Sequence, residues 1–383
     1  MDPEWLNHTE TQTNITEVTN INKFIEVMEY HVPFALRINK CLTPIWYLVG
    51  GIGNIVSARI WLHPRMKACN ISANYLAALA IADFIYLFLH VFYELENPWL
   101  VGTLDLPIWC EVWNMLYMSV QYLCVLLVLA FTTERFLSVC HPFKSERFSG
   151  KARSLKVIIL LLLVAFVVGL PQTYFWEVSD DECFVRSSQL VPGEYTLYSI
   201  YTWTSEMVMF GVIPLVVLTL NTCVLKKIKS VGKLNINESR ISYVRYNMVA
   251  TTMTLMWVSF YLIVTTLPVT ITFAIQNNMV LGPPMPISQM GDNPVWSSYF
   301  TYYTARVIIR EICMSHHVCN IFIYCSTNRR FLKHTKDSIL GPLLCYFKED
   351  DSSTRQYPTP LLKNKNLLLN QSSRVQLRSQ SRS

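Results

Sequence analysis

Long blocks of apolar residues alternate with short polar connectors through the middle of the chain. A helix needs roughly 20 apolar residues to cross a bilayer, and blocks of that order lie near 41–62, 74–93, 108–138, 155–176, 197–225, 246–275 and 299–325. They predict an all-α, seven-transmembrane helix bundle. The last block is interrupted by Arg306, Arg310, Glu311, His316 and His317, and connector charge argues for keeping it. Connectors after the first, third and fifth blocks are basic (Arg59, Arg65 and Lys67; Lys144, Arg147, Lys151, Arg153 and Lys156; Lys226, Lys227, Lys229, Lys233, Arg240 and Arg245). Those after the second, fourth and sixth carry Glu94, Glu96 and Asp105, then Glu177, Asp180, Asp181, Glu182 and Glu194, then Asp292. Lysine and arginine stay on the cytoplasmic side, so the alternation predicts an N-terminus outside. The basic tail after 346 suits the inside, and an odd number of crossings joins the two.

Composition agrees. The chain is 52% hydrophobic and 15% charged, where a soluble domain carries about 25% charged residues. Residues 1–40 are polar and have no basic start, apolar core and small-residue cleavage site, so a removable leader is not expected. This segment reads as extracellular and glycosylated at Asn7 and Asn14, which head Asn-x-Thr triplets. The triplets at Asn70, Asn237 and Asn370 fall on the expected cytoplasmic side. Of 11 cysteines, Cys110 and Cys183 lie in outer connectors, Cys41 lies near the outer boundary, and the rest lie within blocks or on the inner side, where thiols stay reduced. A Cys110–Cys183 bridge is the expected pairing. Pro171, Pro214 and Pro268 are expected to kink the fourth, fifth and sixth helices.

The membrane-spanning domain is bounded at 41–331. After it, Asn328-Arg-Arg-Phe331-Leu-Lys333 mixes basic and apolar residues as a short amphipathic eighth helix at the membrane surface would, and Cys345 is a candidate for lipidation. The rest of 332–383 has the composition of a disordered cytoplasmic tail. Charges inside the blocks are costly and point to function: Asp83 lies deep in the second, and Glu134-Arg135 closes the third. Cys313, His316, His317 and Cys319 are metal-capable types at helical spacing, an arrangement that also arises by chance in a polar interior, so no metal is assigned to them. No Gly-rich phosphate loop or Ser-His-Asp arrangement is visible, so the chain is read as no enzyme and no cofactor is expected. The basic connectors are explained by topology before nucleic acid.

Taken in order, Gly53-Asn54, Leu79-Ala-Ile-Ala-Asp83, Trp99-Leu-Val-Gly102 before Cys110, Glu134-Arg135-Phe136 with His141-Pro142, Pro214, Pro268, Asn320-Ile-Phe-Ile-Tyr324 and Phe331 resemble the rhodopsin-like (class A) G protein-coupled receptors. The departures are Phe136 for a tyrosine, Leu161 near the place of a fourth-span tryptophan, Leu262-Ile-Val-Thr-Thr-Leu-Pro268 without the sixth-span tryptophan, and Ile321 for the seventh-span proline. Tyr117 stands where amine receptors carry an aspartate and Met314 where opsins carry a lysine, so neither chemistry is expected. The Leu220-Asn221 pair, the proline-less Asn-Ile-Phe-Ile-Tyr and the Trp-x-x-Gly connector look like the neuropeptide receptors near the FMRFamide and thyrotropin-releasing-hormone groups.

The resemblance implies a multi-pass plasma membrane receptor that binds an extracellular peptide and activates a heterotrimeric G protein, with arrestin, a receptor kinase and membrane lipids as further partners. Polar groups converging in an apolar cavity would hold the ligand; the candidates are Glu94, Tyr117, Gln121, Trp203, Glu206, Arg306, Arg310 and Glu311. Arg310 is expected to pair with Glu206 or Glu94, or with the ligand. Asn54, Asp83, Pro214, Pro268, Asn320, Tyr324 and the Glu134-Arg135-Phe136 triplet would carry activation. Met248 stands where an acid on the sixth helix would hold Arg135. In the family Asp83's counterpart often binds sodium, here with Asn320 near it, and Cys124 and His316 take the other sodium positions. A transporter or channel of seven spans, or a receptor for a non-peptide small molecule, is the alternative, although no repeat relates the two halves.

Overall fold

Backbone amides that enter hydrocarbon must be satisfied within their own segment, and the chain meets that constraint with helices almost throughout. The computed structural model describes residues 21–69, 72–96, 99–141, 151–179, 182–189, 196–232, 239–276 and 279–338. Asn7, Asn14 and Cys345 lie outside these residues, and the side chain of Met248 is likewise not described. Residues 1–335 form one unit and 336–383 another, of which 336–338 are described.

The first span is Pro33–Leu62, the second Ala73–Glu96, the third Trp109–Cys140 and the fourth Lys151–Gly169. The fifth runs through Leu197–Glu206, a π-helical turn Met207–Val212 and Ile213–Gly232; the sixth is Ser239–Gln276; the seventh is Pro294–Val318, resumed as Asn320–Thr327. Among the described residues, six of these are long and apolar enough to cross a membrane. The seventh keeps its charged residues on a helix whose neighbours are the first, second and sixth spans. The third span holds the centre, packed against the second, fourth, fifth and sixth, and its buried Tyr122, Cys124, Leu127, Val128 and Phe131 form the axis of the core. Exposed Ile45, Leu48, Ile52 and Ile55 recur at three- and four-residue steps along the first span, the apolar stripe a helix turns toward lipid.

Local signals place the helix starts. Pro33 opens the first span at a position where a missing N–H costs nothing, well before residue 41. Asn293 caps the seventh, its Oδ1 accepting from Val295 N at 2.9 Å and Trp296 N at 3.3 Å. Asn328 does the same for the helical turns after the seventh span, accepting from Arg330 N and Phe331 N at 3.1 Å. Phe331 then buries against Trp61 and Tyr324, with ring centroids 5.0 Å and 5.3 Å away, so first span, seventh span and following helix are pinned at one point.

Four features differ from the sequence expectation. Residues Ile21–His31 of the expected polar N-terminal segment form a helix, and Val27 and Met28 bury with Met290, Trp296, Phe300 and Val307 in a second apolar cluster. The fourth span stops at Gly169, so Pro171 does not kink it but leads, with φ of −58°, into the single turn Gln172–Phe175. A hairpin follows, β1 Trp176–Ser179 antiparallel to β2 Glu182–Val185. The seventh helix breaks at Cys319 although no proline is present. Pro268 does lie inside the sixth helix.

Glycine sets the closest approach. A Cβ on Gly50 would stand 2.5 Å from Leu87 Cδ1 and 2.9 Å from Val318 Cγ2, whereas one on Gly51 would meet nothing within 4 Å. Small residues let helices meet closely in lipid. Gly50→Val is expected to destabilise the bundle by about 1–3 kcal/mol and Gly51→Ala to leave it unchanged, read as thermal stability of the detergent-solubilised protein.

Candidate functional site

Two polar layers cross this apolar bundle, one toward the end that carries the disulfide and one near its middle. The Cys110–Cys183 bridge is formed, with Cα atoms 5.8 Å apart, and ties the third span to β2. Beside it the connector at 99–108 is shaped by acids. Glu96 accepts from Thr103 N at 2.7 Å, Thr103 Oγ1 at 3.1 Å and Leu104 N at 3.0 Å. A Cβ on Gly102 would fall 2.1 Å from Asp105 Oδ2, so the Trp-x-x-Gly signature has a steric reason at its glycine. Burial and the neighbouring Glu96 push the Asp105 carboxyl above the usual carboxylate range. Leu100 and Ile108 hold φ of +55° and +70°, and Ile108 is β-branched, for which that region is strained.

Below this rim the first, second and seventh spans bring together Asn39, Thr43, Tyr93, Glu94, Arg310 and Glu311. The amide nitrogen of Asn39 lies 2.9 Å from Glu311 Oε1, 3.3 Å from Glu94 Oε2 and 3.0 Å from Thr43 Oγ1, and Thr43 donates to Glu311 Oε1 at 3.0 Å. Glu94 and Glu311 are each 2% exposed, and Glu94 Oε1 and Glu311 Oε2 are buried without a hydrogen bond. Arg310 donates from Nη1 to Tyr93 Oη at 3.1 Å and lies over that ring, while its Nε has no partner. Its electrostatic neighbours include Glu94 and Glu311. Among the described residues Arg310 forms no ion pair within 4.0 Å, so the expected Arg310–Glu206 and Arg310–Glu94 bridges are not made. Tyr117 closes the layer from the third span, stacked on Trp113 at 4.8 Å and on Tyr86 at 5.3 Å.

The remaining ligand candidates divide. Glu206 is half-buried, facing Tyr122 of the third span and Cys313 of the seventh. Gln121 is half-buried on the third span and Arg306 is exposed on the seventh. Trp203 is not brought to the interior: it is 47% exposed, in line with Leu197, Ile200 and Val208 on the lipid-facing stripe. Asn39, Thr43 and Tyr93 escaped sequence reading because uncharged polar residues near a block's end raise no alarm there.

The second layer centres on Asp83. Its Oδ1 lies 2.7 Å from His317 Nδ1 and its Oδ2 accepts from Asn320 Nδ2 at 2.8 Å, and Asn54 Nδ2 donates to the His317 carbonyl at 2.8 Å. The break at Cys319 places His317 and Asn320 on the same side. His317 meets the carboxylate directly, while His316 lines the small cavity beside Asp83, Cys124 and Asn320, the position expected of it. Sodium, a hard cation, takes oxygen ligands, whereas here the donors grouped with the Asp83 carboxylate are the thiol of Cys124 and the imidazole of His317. The donor set does not fit sodium. Toward the opposite end Tyr324 is fully buried against Trp61 at 5.4 Å. Arg135 is buried, and Glu134 takes a hydrogen bond from Tyr75 and lies near Arg153 as well as Arg135.

Comparison with known proteins agrees with this geometry. Residues 53–324 match the family described as 7 transmembrane receptor (rhodopsin family). Curated relatives include the pyrokinin-1 receptor of Drosophila melanogaster, 30% identical over 33% of this chain and 29% of the relative. The human neuromedin-U receptor 2 is 27% identical over 43% and 39%, and the human neurotensin receptor type 1 is 26% identical over 48% and 46%. The matched region thus spans less than half the length of each of these relatives. The chain belongs to the rhodopsin family of seven-transmembrane receptors.

Removing the shared donor tests the upper layer. Asn39→Ala is expected to lower the thermal stability of the solubilised receptor by about 1–3 kcal/mol, because two buried carboxylates lose a hydrogen bond, while Gln121→Ala, which breaks no recorded bond, should leave it unchanged.

Proposed function

We propose that this rhodopsin-family receptor binds an extracellular neuropeptide at the disulfide end and activates a heterotrimeric G protein from the Arg135 end, with its N-terminus outside and the bundle in the plasma membrane. The observation that carries the reading is the upper layer: a buried guanidinium and two buried carboxylates, each with an unused hydrogen-bonding atom. Such groups are costly unless a ligand completes them. A peptide offers carbonyls and carboxylates to Arg310 and amides or cations to Glu94 and Glu311, so one ligand can engage both signs. Similarity to the pyrokinin, neuromedin-U and neurotensin receptors supports a peptide. A finer placement near the FMRFamide and thyrotropin-releasing-hormone groups rests on the sequence signatures around Leu220-Asn221 and Asn320–Tyr324.

Transmission would run from this layer through Asp83, Asn54 and Asn320 to Arg135. Activation is a shift between two arrangements, so the agonist has to bind one of them better. Glu134 divides its carboxylate between Tyr75 and two arginines, which weakens its hold on Arg135. Arrestin and a receptor kinase would act on the serine-bearing tail.

Screening a neuropeptide library by calcium and cyclic-nucleotide readouts, beside an ion-flux control, is the direct test; flux without second-messenger change would support a transporter or channel instead. For the peptide that activates, Arg310→Gln is expected to raise the half-maximal concentration about ten- to hundred-fold, the loss of one charged hydrogen bond, with surface expression kept. An unchanged response curve would remove Arg310 from the pocket. Basal signalling of the unliganded receptor should exceed that of mock-transfected cells, and equality would show that Arg135 is firmly held at rest.

A further inference from the structure

The cluster that does not fit sodium fits another class of ion. We infer that Asp83, Cys124 and His317 form a site for a borderline-soft divalent cation of the zinc type. One carboxylate oxygen, the thiol sulfur and an imidazole nitrogen from three different spans lie within 4.8 Å of one another, all buried. Oxygen, sulfur and nitrogen donors in one place are what Zn2+ takes, and thiolate selects it over hard cations.

The surroundings orient these donors. Asn320 holds Asp83 Oδ2, Asn54 holds the carbonyl of His317, and Tyr86 stacks on the His317 ring with centroids 4.0 Å apart. Partners of this kind fix ligand geometry in metal sites. A small cavity lies against two of these donors, Asp83 and Cys124, and is lined also by His316, Asn320 and apolar side chains. Three protein donors leave the fourth tetrahedral position to water.

The geometry needs a modest adjustment. With bonds of about 2.0–2.3 Å, tetrahedral donors stand roughly 3.4–3.8 Å apart. Asp83 and His317, now 2.7 Å apart, open slightly, and Cys124, whose thiol bonds to Asp83, turns inward. Binding displaces the thiol proton and any proton shared between imidazole and carboxylate. The rings of Tyr86 and Tyr117 cover the approach from the upper layer, so loading is slow and calls for long equilibration.

The test uses the full chain, purified in detergent and equilibrated with Co2+ in excess sodium. The expected result is a sulfur-to-cobalt charge-transfer band with visible bands of tetrahedral intensity, displaced by Zn2+ and unaffected by raising sodium. Cys124→Ser, which keeps size and hydrogen bonding, and His317→Gln should each lose the band while thermal stability and the Cys110–Cys183 bridge persist. Cys223→Ser, an exposed thiol on the fifth span, should keep it. Absence of the band from the wild-type chain, or its survival in a folded Cys124→Ser protein, overturns the site. The readout is spectroscopic, so its failure is separate from any failure to find a peptide agonist.

Discussion

A carboxylate in the middle of an apolar bundle has to find its donors within the protein, and Asp83, 1% exposed, finds them on the seventh helix. Much of the interior follows from that need. The seventh helix must come close enough to the second for His317 and Asn320 to reach, and it must turn both residues the same way, which an interruption at Cys319 permits. The first helix is then held by Asn54 on the His317 carbonyl and admitted by Gly50, which Leu87 and Val318 crowd from two sides. Charge burial and close packing therefore act at the same height of the bundle, and neither would be stable alone.

Much of this was legible in the residues. Block length and connector charge specify helices in membranes because the bilayer allows few alternatives, and Asp83, Asn54, Asn320 and the Cys110–Cys183 pair were visible as polar or sulfur groups in costly places. What escaped was set by geometry that no spacing encodes. His316 and His317 are equivalent on a sequence line, and only the fold shows that His317 reaches the Asp83 carboxylate while His316 lines the cavity beside it. Trp203 and Glu206 lie on one face of an ideal helix, yet one meets lipid and the other the interior. The helix Ile21–His31 exists because Trp296 and Phe300 offer it an apolar surface, a partner distant in sequence.

The upper layer combines two kinds of incompleteness. Arg310, Glu94 and Glu311 keep polar atoms without partners, and the connector beside them carries Leu100 and Ile108 in a disfavoured backbone region. The disulfide and the Glu96 hydrogen bonds hold that connector in place, so the rim is pre-shaped while the charges beneath it stay open to a visitor. For the proposed peptide ligand, a rim arranged this way spends little ordering on arrival.

The π-helical turn at Met207–Val212 has one more effect. Such a turn inserts a residue without a matching advance around the axis, so positions before it are out of phase with those after it. Glu206 can therefore look inward while the lipid-facing row resumes at Val212 and Leu215. Counting back from Pro214 as if the helix were unbroken therefore places the residues before the π-turn on the wrong side of the fifth span.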